Sequence, residues 1–284
     1  MAAVTIAQIK NLQERTGAGI MDCKKALIDA DGDEEKAVDI LREKGIAKAA
    51  SKAGRIAAEG LAYIKICEKC GKAVIVEVNC ETDFVSGSPK FHDIVDAIAA
   101  RLLEKNPANL EEAKEVTQDI FTDAVVAMRE NFVLRRFQIV ALEAGQAFGT
   151  YTHMGGKISA LVVLSKDCGE VNRAFAMSVV SSKPEYLTLA DVPAAARARE
   201  QALAEKEVAE DPKLLTKPQT VKDQIVQRKV DKTFNALCFD HAVYALDPEG
   251  KLTIPEVCKQ HDVQVLSFIR YEVGDGIEKP AEEE

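Results

Sequence analysis

No stretch of the chain approaches ~18 consecutive apolar residues, so no segment reads as a membrane-spanning helix. The opening MAAVTIAQIK has no basic region followed by an apolar one, which argues against a cleaved signal. Histidine is scarce. The four present (His92, His153, His241, His261) show neither metal-ligand spacing nor an adjacent nucleophile signature. The seven cysteines are odd in number and scattered, which suits reduced thiols in the cytoplasm better than a disulfide framework. Positive charge is in deficit: 37 Lys and Arg stand against 46 Asp and Glu, a net charge of −9. That balance argues against direct nucleic-acid binding. Six acids (Glu272, Asp275, Glu278, Glu282, Glu283, Glu284) crowd the C-terminal end against Lys279, leaving the rest only mildly acidic.

What the chain does have is enough apolar residue, 47% over 284 residues, to bury real cores. On the usual domain size of ~150 residues it holds about two domains. Residues 1–50 read as three short helices. Thr5 and Gln8 form a capping box, and Ile6, Ile9 and Leu12 share one face. Gly17 and Gly19 break the pattern before a second helix, Ile20–Asp29. Asp33 caps a third over Glu34–Lys44, with Lys48, Lys52 and Arg55 marking a polar linker. The period then changes to two. Leu61–Cys67 and Ala73–Val78 form a hairpin, and Ser88-Pro89 starts a helix carrying Phe91, Ile94, Val95, Ile98 and Leu102.

Strand, turn, strand and helix recur about 85–88 residues later as Gly149–His153, Met154–Lys157, Ile158–Leu164 and the Val171–Val180 stripe. Between the copies Leu110–Met128 reads as helix and Phe132–Glu143 as extended chain. The expected fold class is therefore α+β, with a duplicated strand-turn-strand-helix core. Two antiparallel helices are expected within 191–234. The stripe Val221, Ile225, Val230, Phe234 is either their seam or a surface for self-association. Ala236–Leu246 and Val263–Val273 return to a β pattern, and Thr253 caps a short helix between them. In the second copy about three residues join strand to helix, whereas in the first Cys80–Gly87 takes eight. The extra length is free to carry function.

Few motifs survive scrutiny. Cys67-x-x-Cys70 lacks the second pair that zinc usually needs, so it reads first as structural or incidental, with a metal or redox role as the lesser reading. Gly155-Gly156-Lys157 fails as a phosphate loop because Tyr151 and Ile158 occupy the positions of a required glycine and hydroxyl. Gly17-x-Gly19 fails as a dinucleotide loop, with Asp22 at the third glycine site. Nothing supports an enzyme. In the long connection, Thr82-Asp83-Phe84-Val85 sets an aromatic beside a carboxylate. The residues alone leave open whether Phe84 tucks into its own core or anchors a partner.

Four segments carry a resemblance. Thr16-Gly17-Ala18-Gly19-Ile20-Met21-Asp22-Cys23-Lys24-Lys25-Ala26-Leu27 and Glu77-Val78-Asn79-Cys80-Glu81-Thr82-Asp83-Phe84-Val85 resemble the two signatures of the bacterial elongation factor Ts family. Tyr151–Lys157 and Phe268–Gly274 are similar to further family segments. The resemblance implies a cytoplasmic guanine-nucleotide exchange factor whose partner is elongation factor Tu, in its GDP-bound and nucleotide-free forms, with no cofactor of its own. It implies a ubiquitin-associated-like docking module over 1–55, with Lys10, Ile20, Met21 and Lys24 on its docking face. Core subdomains follow over 56–144 and 145–190 with 235–276, then a projecting hairpin over 191–234 and an acidic tail over 277–284. It also implies that Phe84, beside Asp83 and flanked by Thr82 and Val85, wedges into the partner's nucleotide domain, and that His153 contacts it.

Overall fold

The computed structural model describes residues 4–278; the acidic residues beyond 278 lie outside it. The chain divides into two compact units. The described residues of the first run 4–143, 152–159 and 271–278; those of the second run 144–151 and 160–270. Among the described residues, helices and two three-stranded sheets make it a mixed α and β protein.

The first unit opens on α1 (Ile6–Thr16), α2 (Ile20–Asp29) and α3 (Glu34–Lys52). Thr5 and Gln8 form the expected capping box, and Gly17 ends α1 in the left-handed conformation with its N–H on the Gln13 carbonyl. Leu12, Cys23, Ala26, Leu27, Ala37 and Leu41 fill a small core. Ile6, expected on the buried face, is 75% exposed. The expected linker is helical as well: α3 continues to Lys52. Its extra length packs on α6 (Leu110–Met128), where a Cβ at Gly45 would come within 2.5 Å of the Val126 side chain. Helix propensity near Ala-rich residues permits that extension, and the close approach uses it.

The strands β1 (Glu59–Cys67), β2 (Lys72–Cys80) and β3 (Val133–Ala141) form an antiparallel sheet with β2 central and almost wholly buried. Helix α5 (Pro89–Lys105), capped by Ser88, lays Phe91, Val95, Ile98 and Leu102 on this sheet, and α6 adds Ala113, Ala124 and Val125. Gly60 in β1 has φ +145°, and a Cβ there would meet the Val78 carbonyl oxygen at 2.1 Å. Gly60→Ala should therefore cost about 1–3 kcal/mol, from backbone strain and forced separation of β1 from β2. A lower urea midpoint at unchanged slope would show it.

In the second unit and its flanking strands, β4 (Ala147–His153) and β5 (Ile158–Leu164) match the expected second hairpin, followed by α7 (Glu170–Ser182). Helices α8 (Ala194–Glu210) and α9 (Gln219–Asn235) bury Ala204, Val208, Val226, Val230 and Phe234 against each other. The apolar stripe is thus largely consumed as an intramolecular seam. Ala236–Leu246 is not a strand. It makes a short 3-10 turn at Phe239–His241 and two isolated bridges, Tyr186 to Cys238 and Val243 to Thr253. Phe239 instead packs its ring 5.7 Å from Phe268. Cys238 and Phe239 are buried, whereas Val243 and Leu246 stay exposed. Thr253 and Glu256 complete the capping box of α10 (Ile254–His261), and β6 (Val265–Glu272) closes the second sheet.

Candidate functional site

The eight-residue connection after β2 is not an open loop. It folds into a single helical turn, α4 (Asp83–Ser86), capped by Thr82. Val85 N–H donates to Thr82 Oγ1 at 3.3 Å, and Ser86 Oγ donates to the Asp83 carbonyl at 3.1 Å. Gly87 and the next cap, Ser88, end the turn at once. Four residues of helix have two sides. Val85 packs on the core beneath, and Ser86 is buried. Asp83 and Phe84 therefore face out, and Phe84 is 88% exposed. That resolves the choice left open by the residues: the ring is presented, not tucked in.

What fixes this turn comes from segment 129–131, which follows α6. Glu130 accepts hydrogen bonds from the backbone N–H groups of Glu81 (3.0 Å) and Thr82 (3.2 Å), and from the Thr82 hydroxyl. In return, Glu81 accepts the Asn131 N–H at 2.6 Å and pairs with Arg55 at 3.3 Å. Charge-assisted bonds of this kind are about twice as strong as neutral ones. Arg129, in the left-handed conformation, pairs with Asp22 on α2 at 3.1 Å. Burial, and after it the Glu130 carboxylate, push the Cys80 thiol up to about 12. Cys80 is thus a neutral donor, to the Thr82 carbonyl at 3.3 Å.

His153 ends β4, and Met154, at φ +49°, begins the turn after it. Both are exposed, Met154 by 69%. This turn rests on β1: a Cβ on Gly156 would meet the Leu61 side chain at 2.6 Å. Lys157 Nζ reaches Glu59 and, at 3.4 Å, Ser86 Oγ of α4. The structure thus brings the Thr82–Val85 turn and the His153 turn to the same part of the first unit. Lys10, Ile20, Met21 and Lys24 lie exposed on α1 and α2, with Ile20 57% and Met21 62% exposed. Sequence reasoning missed Glu130, whose bonds to Glu81 and Thr82 span 48–49 residues and leave no local signal.

Among the described residues no three His, Cys, Asp or Glu side chains group as a metal site requires, and no helix is long and apolar enough to cross a membrane.

The family model described as Elongation factor TS matches residues 81–275. The chain belongs to the elongation factor Ts family. Elongation factor Ts of Lactiplantibacillus plantarum (strain ATCC BAA-793 / NCIMB 8826 / WCFS1) is 40% identical over 288 residues, covering 99% of this chain and 96% of that protein. The family's members are nucleotide-exchange factors of translation elongation that act on elongation factor Tu. The matched span begins at Glu81, so it includes α4 and its brace at Glu130.

Proposed function

We propose that this chain releases GDP from elongation factor Tu by inserting the Asp83-Phe84 turn between helices of its nucleotide domain, which disturbs the groups around that protein's magnesium ion. The observation that carries this reading is the 88% exposure of Phe84 on a turn held from below by Val85 and from the side by Glu130. The three-helix module over 1–55, ubiquitin-associated-like in this reading, docks first through Lys10, Ile20, Met21 and Lys24. His153 supplies a second contact. The core over 56–144, 145–190 and 235–276 holds these surfaces, and the 191–234 hairpin is peripheral.

The physical logic is linkage. A factor that binds nucleotide-free partner more tightly than GDP-bound partner must weaken GDP by the same factor. Loss of magnesium takes from the β-phosphate its largest local counter-charge. No nucleophile or base is needed. The test is release of fluorescent GDP from elongation factor Tu under excess unlabelled GDP. Acceleration by substoichiometric chain is the expected result; an unchanged rate would end the proposal. Glu130→Ala removes the brace but not the ring. It should slow stimulated release roughly tenfold, the worth of one charged hydrogen bond that orders the turn.

A further inference from the structure

We infer that Cys67 and Cys70 form a reversible thiol–disulfide couple, a redox modification site at the tip of the β1–β2 hairpin. The two residues flank Glu68-Lys69 in a 3-10 turn, and their Cα atoms lie 5.6 Å apart. That Cα spacing is in the middle of what a disulfide requires, and the structure brings the two sulfurs together. The pair stands apart from the other five cysteines, which are free.

Besides the Cys70 Sγ contact to the Cys67 carbonyl at 3.5 Å, backbone and lysine bonds hold the turn. Gly71, left-handed at φ +60°, donates its N–H to the Glu68 carbonyl at 3.3 Å. Its own carbonyl accepts the Leu142 N–H at 2.8 Å, and Lys72 Nζ donates to Asn106 Oδ1 at 2.9 Å. Cys67 sits opposite Lys72 at the last rung of the ladder. A dithiol held in this way is preorganised, so the second thiol competes well against any mixed disulfide. The closed ring is also short. Little chain entropy is gained from cross-linking four residues, so the bond is not locked by the fold.

Accessibility singles out Cys70, the one exposed cysteine among the described residues, whereas Cys168 and Cys258 are half-buried like Cys67. Cys70 is exposed and Cys67 half-buried, with Glu68, Lys69 and Lys72 beside them. A small-molecule disulfide can therefore reach the pair. Cys23, Cys80 and Cys238 are buried instead, and burial pushes each of their thiols up.

The step balances with a small-molecule disulfide such as oxidised glutathione. The Cys70 thiolate attacks one of its sulfurs, and one glutathione leaves as a thiolate that takes a proton. The Cys67 thiolate then attacks the Cys70 sulfur, and the second glutathione leaves. Two protein thiols are oxidised, and one small disulfide is reduced to two thiols. The proposal does not depend on nucleotide exchange.

The test equilibrates the full chain across a series of reduced and oxidised glutathione, then traps free thiols by alkylation and reads each cysteine peptide by mass. The oxidised-to-reduced ratio of the Cys67–Cys70 peptide should fall tenfold for each tenfold rise in [GSH]²/[GSSG], with the buried cysteines unmodified. Cys67→Ser should instead leave one glutathione on Cys70. A pair that stays dithiol throughout overturns the proposal. So does one that stops at a mixed disulfide in the unsubstituted chain, resists dithiothreitol, or escapes oxidation by holding zinc.

Discussion

Replacing Phe84 with alanine should slow stimulated GDP release from elongation factor Tu by roughly 30- to 150-fold, the rate equivalent of the ~2–3 kcal/mol gained when a phenyl ring leaves water. The chain itself should lose almost nothing. The ring is 88% exposed, so its truncation opens no cavity, and a change within about 0.5 kcal/mol is expected in unfolding. Phe84→Leu keeps part of the apolar surface and should fall between the two rates. Asp83 and Phe84 share the outward side of α4, yet the Asp83 carbonyl also receives the Ser86 hydroxyl and the Gly87 N–H. Asp83→Asn therefore tests charge without disturbing the turn. If Phe84→Ala releases GDP as fast as the parent chain, the ring is not the wedge.

The orientation of Phe84 could not be read from sequence because its causes are remote. Val85 and Ser86 turn inward onto a core supplied by other elements, and Glu130 reaches the turn from 49 residues away. The caps were legible because they are local. Thr5 with Gln8, Ser88 before Pro89, and Thr253 with Glu256 each close within three residues. The bounds of α6 and β5 followed equally from their apolar spacing. Expectations failed where tertiary packing chose between adequate local options. Helix α3 runs on to reach α6, and Ala236–Leu246, suited to a strand, turns its Phe239 inward instead. The signatures that suggested the family lie on elements that position the candidate site: α2, the end of β2 and the β4–β5 turn.

Glu77 is the residue whose loss should most damage stability. Its carboxylate is fully buried in β2 and meets Arg135 at 2.9 Å and Arg136 at 2.6 Å. Two successive strand residues normally point to opposite faces. Here the register shifts between Glu77 and Val78, where Glu77 pairs with Arg136 and Val78 with Leu134, so Arg135 is the extra residue of a bulge. Both guanidiniums can then reach one carboxylate. Glu77 also accepts the Gly274 N–H at 2.9 Å, tying β2 to a segment 197 residues away, and Arg136 stacks 4.3 Å from the Tyr271 ring. Glu77→Gln keeps the shape and removes the charge. It should cost about 3 kcal/mol, the lower end for breaking a buried pair, because both arginines retain partial contact with water (24% and 31% exposed). Urea unfolding measures it. The loss should persist in 1 M salt, since a buried pair is weakly screened, unlike exposed pairs such as Lys229–Glu207. Combining Glu77→Gln with Arg135→Gln should cost less than the sum of the two changes, because each already removes the same interaction. Additive losses would show that Glu77 acts through packing alone and that the bulge serves no electrostatic purpose.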